Sequence, residues 1–81
     1  MVAQIRARLT EAFAPTELEV LDEGHKHIGH AGQGKGHFHV RIVSAAFSGK
    51  LPIKRHRMIY TALDGWMNKG IHALSIDAKD Q

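Results

Sequence analysis

Seven histidines and no cysteine stand out in a chain of 81 residues. Neutral imidazole is a borderline donor suited to zinc, copper or iron. Without a thiol the chain cannot build a disulfide, a thiolate nucleophile or a Cys-ligated metal site on its own. Five of the histidines fall between His25 and His39. His25, His27 and His30 lie in a glycine-rich stretch, and His72 stands far away near the C-terminus. Taken singly, each loop histidine reads as an ordinary solvated side chain, and His72 as a strand residue bonded at a sheet edge. The spacing closes no four-ligand set. A metal centre using two of these imidazoles must therefore take its remaining ligands from a partner.

The second chemical feature is cationic. Lys50, Lys54, Arg55 and Arg57 crowd a turn and a helix start, where unsatisfied backbone N–H groups add partial positive charge. Such a patch suits phosphate or another anionic surface, and equally a solvated helix face. His56 lies three residues before Ile59, so it reads equally as part of this run or as a packed boundary histidine. The net charge of +3 and pI near 9.6 fall short of the polybasic density of a committed nucleic-acid binder. No Ser-His-Asp set, phosphate-binding loop or His-Glu-x-x-His is present. Gly29-His30-Ala31-Gly32 leads into no helix and matches no dinucleotide fingerprint. The reading is of a protein that is not an enzyme.

These residues need elements to position them. Val2, Ile5, Leu9, Ala12 and Phe13 recur at helical spacing, and Pro15 ends that helix near Ala14. Residues 16–22 alternate, with Leu18 and Val20 on one face and Glu17 and Glu19 on the other, as in a strand with one wet side. Residues 24–36 read as a long mobile loop rich in His and Gly, of a length that tends to be functional or disordered. His37 to Ser44 is a second strand, with Phe38, Val40 and Ile42 facing inward. After a turn at Ser48-Gly49-Lys50, Pro52 opens a second helix. Ile59, Ala62, Leu63 and Trp66 form its buried stripe, and Lys69-Gly70 supplies its stop. Ile71 to Ile76 is a third strand and Asp77 to Gln81 a polar end.

The order is helix, strand, strand, helix, strand in a single domain, residues 1–81. A right-handed crossover leaves strands two and three parallel, and strands one and two pair antiparallel. Both helices must cover one sheet face, which gives an α+β two-layer sandwich with a three-stranded mixed sheet. Strand three then starts at the end of the sheet where the loop delivers His37, so His72 and the loop histidines share one rim. Phe47, Tyr60 and Trp66 read as core or boundary residues, because no aromatic falls on the outer strand faces. No apolar run approaches the ~18 residues of a membrane span. Met1 to Phe13 lacks the apolar centre of a secretory signal. A cytoplasmic location follows as the expectation.

The chain resembles the BolA family. The motifs that carry the resemblance are Leu18-Glu19-Val20 followed by Asp22-Glu23, then His37-Phe38-x-Val40-x-Ile42-Val43-Ser44 and Phe47-x-Gly49. Arg55-His56-Arg57-Met58-Ile59-Tyr60 and Ile71-His72-Ala73-Leu74-Ser75-Ile76 complete the set. They occur in order over nearly the whole chain. The resemblance implies a fold similar to the class II KH domain. It also implies a monothiol glutaredoxin partner with a CGFS motif, and a 2Fe–2S cluster shared between the two in iron–sulfur trafficking or iron homeostasis. The family's strand-three histidine ligand falls on His72. Its loop ligand falls on His27 when aligned through Leu18 to Glu23, with His25 and His30 as alternatives.

In that complex the glutaredoxin cysteine and a glutathione thiolate hold one side of the cluster, and two imidazoles hold the other. The chain alone would bind none. Imidazole in place of thiolate removes negative charge and raises the potential, as in Rieske centres. Ligation requires neutral imidazoles, so cluster sharing is expected to weaken with acidification. The family includes members described as transcriptional regulators, which makes DNA a second expected partner, met through Lys50, Lys54, Arg55 and Arg57. KH-style RNA binding lacks support, because the GxxG match at Gly29 to Gly32 falls between strands rather than helices. A function carried by the C-terminal tail of some relatives is not expected of this sequence. A monomer is expected in the absence of the partner.

Overall fold

The first helix, α1 (Val2–Phe13), buries Ile5 and Leu9, one turn apart on a single stripe. It ends where expected: Ala14 takes a left-handed conformation (φ 43°) and returns its N–H to Thr10, because Pro15 can neither donate to the helix nor tolerate a helical predecessor. The computed structural model describes residues 1–24 and 36–81. The expected mobile loop, residues 24–36, falls almost wholly outside the described residues.

The strands β1 (Glu17–Asp22), β2 (His37–Val43) and β3 (Ala73–Lys79) form one sheet in the order β1-β2-β3. β1 runs antiparallel to β2, with Val20 opposite Val40. β3 runs parallel to β2, with His37 opposite Ala73 and Val40 opposite Ile76. Alternation does the rest. Leu18, Val20, Phe38, Val40, Ile42, Leu74, Ile76 and Ala78 pack toward the helices. The rows Glu19–Arg41–Asp77 and Leu21–His39–Ser75 line the opposite face. There His39 Nδ1 and Ser75 Oγ share a 2.7 Å hydrogen bond, and Arg41 meets Glu17 at 4.0 Å. That ion pair is exposed and contributes only ~0–1 kcal/mol. The two-layer α+β sandwich expected from the pattern is the observed fold.

Two elements differ from the sequence reading. The second helix, α2 (Pro52–Ala62), stops well before Lys69-Gly70. Asp64 and Gly65 are weak helix formers, and the chain tightens into a 3-10 turn over Asp64–Trp66. The tighter turn keeps Leu63 fully buried and holds Trp66 against the core, with the Arg8 guanidinium 5.2 Å from the Trp66 ring centre. The third strand starts two residues later than expected and runs on to Lys79. Ile71 instead bridges to Met67 and is fully buried. The polar end pairs because register, not hydropathy, decides there: Ser44 N–H reaches the Lys79 carbonyl at 2.9 Å.

Among the described residues, Ser44 is the buried polar side chain, 1% exposed. Its hydroxyl donates to the Phe13 carbonyl at 2.6 Å and accepts from the Ala46 N–H at 3.1 Å. It thereby ties α1 to the short 3-10 turn Ala45–Phe47, which delivers Phe47 to within 5.0 Å of the Phe13 ring. Ser44→Ala leaves two buried groups unpaired and is expected to cost about 1–3 kcal/mol. Urea unfolding should show a lower midpoint with an unchanged m-value.

Candidate functional site

Of the histidines proposed as ligands, the structure describes one. His72 is exposed and directly precedes β3. His25, His27 and His30 lie outside the described residues. What is described is the frame on both sides of them. Glu23 N–H bonds the His37 carbonyl at 2.8 Å, closing the β1 side. Gly24 N–H bonds Asp22 Oδ1 at 2.9 Å. On the other side, Gly36 hands the chain to β2 and its carbonyl accepts from both His72 N–H (2.8 Å) and Ala73 N–H (3.1 Å).

Gly36 therefore sits in contact with His72. A methyl group built on Gly36 would stand 2.7 Å from His72 Cδ2 and 2.6 Å from the Gly70 carbonyl oxygen, and its φ of +74° is itself a conformation that favours glycine. The imidazole thus rests against bare backbone at the point where the segment 25–35 rejoins the sheet. Beside it a shallow cleft of about 200 Å³ is lined by Glu23, His37, Phe38, Ala73, Leu74 and Ser75. Among the described residues, no three His, Asp or Glu side chains converge to hold a metal. The donor set fits in kind a centre completed by a partner: an accessible imidazole just before a strand, in a chain with no thiolate to complete a cluster by itself. Gly36 does not stand out from its glycine-rich neighbours in the sequence. Its signal was available, since a glycine at a strand end often marks a close backbone approach.

The cationic candidates separate. Arg55 is half-buried, with Nε donating to the Lys50 carbonyl at 2.8 Å and Nη1 to the Ala78 carbonyl at 3.0 Å. Its guanidinium pins the start of α2 to β3 and is engaged by backbone. Lys54 and Arg57 are exposed and Lys50 is partly so. They form the accessible part of the patch. His56 is half-buried, in keeping with a boundary histidine.

Comparison with known proteins places this geometry among relatives. The family model described as "BolA-like protein" matches residues 9–81. The chain is 47% identical to the Arabidopsis thaliana SufE-like protein 1, chloroplastic/mitochondrial, over 94% of its own length but only 22% of that protein's. It is 41% identical to the DNA-binding transcriptional regulator BolA of Escherichia coli, covering 90% of this chain and 69% of that one. Among solved structures, the BolA domain of SufE1 from Arabidopsis thaliana superposes with a TM-score of 0.86 at 49% identity, covering 96% of this chain and 88% of that one.

Gly36→Ala is expected to destabilise the fold by about 1–3 kcal/mol, through the left-handed backbone and the displaced neighbours. It should also shift the His72 ring resonances in NMR spectra more than those of His39 on the far face. Equal shifts at both rings would contradict the contact described here.

Proposed function

The chain belongs to the BolA family, and from that premise we propose that it is a non-enzymatic adaptor that docks a monothiol CGFS glutaredoxin. It contributes His72 and His27 to a 2Fe–2S cluster shared with that protein and glutathione. His25 and His30 are the alternative loop ligands. The observation that carries the reading is the position of His72, exposed and packed against Gly36 at the mouth of the histidine-bearing segment. The cluster, when shared, supplies electron-transfer and iron–sulfur donor chemistry. The chain's own part is to hold an imidazole at a fixed point on the rim and to leave the thiolate positions to the partner. No described helix is long and apolar enough to cross a membrane, and the proposed setting is the cytoplasm, with the protein monomeric until it meets its partner.

Two strand-borne features support docking at this rim. His72 directly precedes an edge strand, so one side of that strand is unobstructed by further sheet. The two backbone bonds to Gly36 fix the main chain at the ligand, and a pre-positioned donor binds with less ordering cost. A second reading, a DNA-binding regulator acting through Lys50, Lys54 and Arg57, is favoured by the name of the Escherichia coli relative. Arg55 contributes least to it, because its guanidinium is occupied by two carbonyls. The salt dependence of DNA affinity separates the readings. Specific recognition through these side chains gives a slope matching about three phosphate contacts, whereas a slope of one or less leaves only diffuse charge.

The deciding experiment mixes the protein with a CGFS glutaredoxin, glutathione, ferrous iron and sulfide. The visible spectrum of the mixed complex is expected to differ from that of the glutaredoxin alone. With His72→Ala it should revert to the glutaredoxin-only spectrum, while the apo-protein keeps its fold, since the ring is exposed. A wild-type mixture with no spectral difference would overturn the adaptor reading.

A further inference from the structure

The bend that leads into α2 carries the two most exposed large apolar side chains among the described residues. Leu51 is 73% exposed and Ile53 62% exposed, and Pro52 between them is exposed as well. Three neighbouring apolar residues left in water cost free energy and point to a contact surface. The core does not need them, since Phe47 and Ile59 on either side are fully buried and seal it. The bend is also held from behind. Arg55 donates to the Lys50 carbonyl at 2.8 Å and to the Ala78 carbonyl at 3.0 Å, and Lys50 N–H returns to the Phe47 carbonyl at 3.1 Å. Gly49, at the turn itself, has nothing within 4 Å of where a Cβ would stand. The segment is therefore a tip that stands clear of the fold on a fixed base.

Cations bracket the tip. Lys50 precedes Leu51, and Lys54 follows Ile53. Within α2, Ile53 and Arg57 lie one turn apart on the solvent face, opposite the buried Ile59, and Lys54 stands beside Arg57 on one flank of that face. Lys54 and Arg57 are exposed and Lys50 is partly so. None of the three forms an ion pair among the described residues. No Asp or Glu occurs between Glu23 and Asp64, and Asp64 lies past the far end of α2. Asp80, after the end of β3, pairs with none of these cations. The surface is thus an apolar point with unpaired positive charge around it.

We propose that this tip seats the protein on the surface of an anionic lipid bilayer. Leu51, Pro52 and Ile53 enter the interface, and Lys50, Lys54 and Arg57 meet the anionic headgroups. This occupant uses both halves of the surface. Aliphatic side chains gain by leaving water for the acyl boundary, and each nearby cation adds attraction to an anionic leaflet. The chain lies on the membrane and does not cross it, since no described helix is long and apolar enough to do so. Other occupants use only part of the surface. Duplex nucleic acid takes the cations and leaves Leu51 and Ile53 in water, and residues 48–57 hold no Phe, Tyr or Trp for unpaired bases. A second copy of the chain covers the apolar residues only by bringing like charges together. Arg55 ties the tip to the end of β3, whereas His72 precedes its start. A bilayer at the tip therefore leaves the His72 rim accessible.

The test sediments the protein with vesicles of phosphatidylcholine containing about one-third phosphatidylglycerol, in about 0.1 M salt. Binding is expected there and not to vesicles of phosphatidylcholine alone. Leu51→Ser with Ile53→Ser should weaken binding about tenfold or more with every charge retained. Lys50→Gln with Lys54→Gln should weaken it about thirtyfold with the apolar residues intact, a loss of roughly fivefold per cation. These substitutions fall on exposed or partly exposed side chains, and amide spectra report whether the variants fold. Bicelles of the same anionic mixture should broaden the amides of residues 49–57 in ¹⁵N-labelled protein and leave Glu19 and Arg41 on the far sheet face unmoved. Any of four results would overturn the proposal. One is no binding to anionic vesicles, or equal binding to neutral ones. The second is undiminished binding by the Leu51 and Ile53 variant, which leaves only diffuse charge. The third is a loss of duplex DNA affinity in that variant as large as its loss of vesicle binding, which makes the tip a nucleic-acid surface. The fourth is a dimer of the protein alone that the same variant dissociates.

Discussion

A single carbonyl, that of Gly36, accepts the N–H groups of both His72 and Ala73, and the parallel half of the sheet takes its register from that junction. Fixing His37 opposite Ala73 fixes Val40 opposite Ile76 and Val43 opposite Lys79. A slip of one residue would turn Leu74, Ile76 and Ala78 to the wet face and bring Ser75 and Asp77 under the helices. The far end is held in the same way by Ser44, whose N–H takes the Lys79 carbonyl. The two residues that bracket β2 are thus small, one for close approach and one for a compact hydroxyl. Neither position tolerates bulk.

That junction explains which parts of the molecule could be read from the residues alone. α1 and β1 follow local rules: a helical stripe stopped by a proline, then strict alternation. Their ends match to within a residue. The parallel crossover also follows from topology, and with it the meeting of His72 and the start of β2 at one rim. The end of α2 and the span of β3 do not follow, because tertiary contacts override local preference there. Trp66 and Ile71 must both reach the core, so a 3-10 turn replaces the last turns of helix. The polar residues Asp77 and Lys79 then become strand because β2 is long enough to pair with them.

The arginines show the limit of reading charge from sequence. Arg55 belongs to a dense cationic run and resembles an anion contact, yet its guanidinium is spent on the carbonyls of Lys50 and Ala78. Arg6 on α1 does the corresponding service at the opposite edge, where Nη1 donates to the Leu18 carbonyl at 3.2 Å. A three-stranded sheet has edges on two of its three strands, and exposed edges invite unwanted pairing. Long helical side chains that reach over and take outward carbonyls blunt both edges. Spacing along the chain cannot reveal this, since the acceptors lie 12 and 23 residues away.

At the rim beside β2, the His72 side chain is supported by backbone alone among the described residues. Metal-binding histidines are usually oriented by a hydrogen bond to the second ring nitrogen. Among the described residues, His72 has no such partner, whereas His39 on the far face is bonded to Ser75. The His72 ring is held by packing against Gly36 and by the main-chain bonds on either side of its Cα. That arrangement fixes where the imidazole emerges without committing either nitrogen to a described residue. A donor held in that way suits a ligand set assembled from two molecules, in which the incoming protein decides the final direction of the bond. An exposed histidine whose ring meets no partner among the described residues, just before a strand, is what the proposed shared centre would require of the domain.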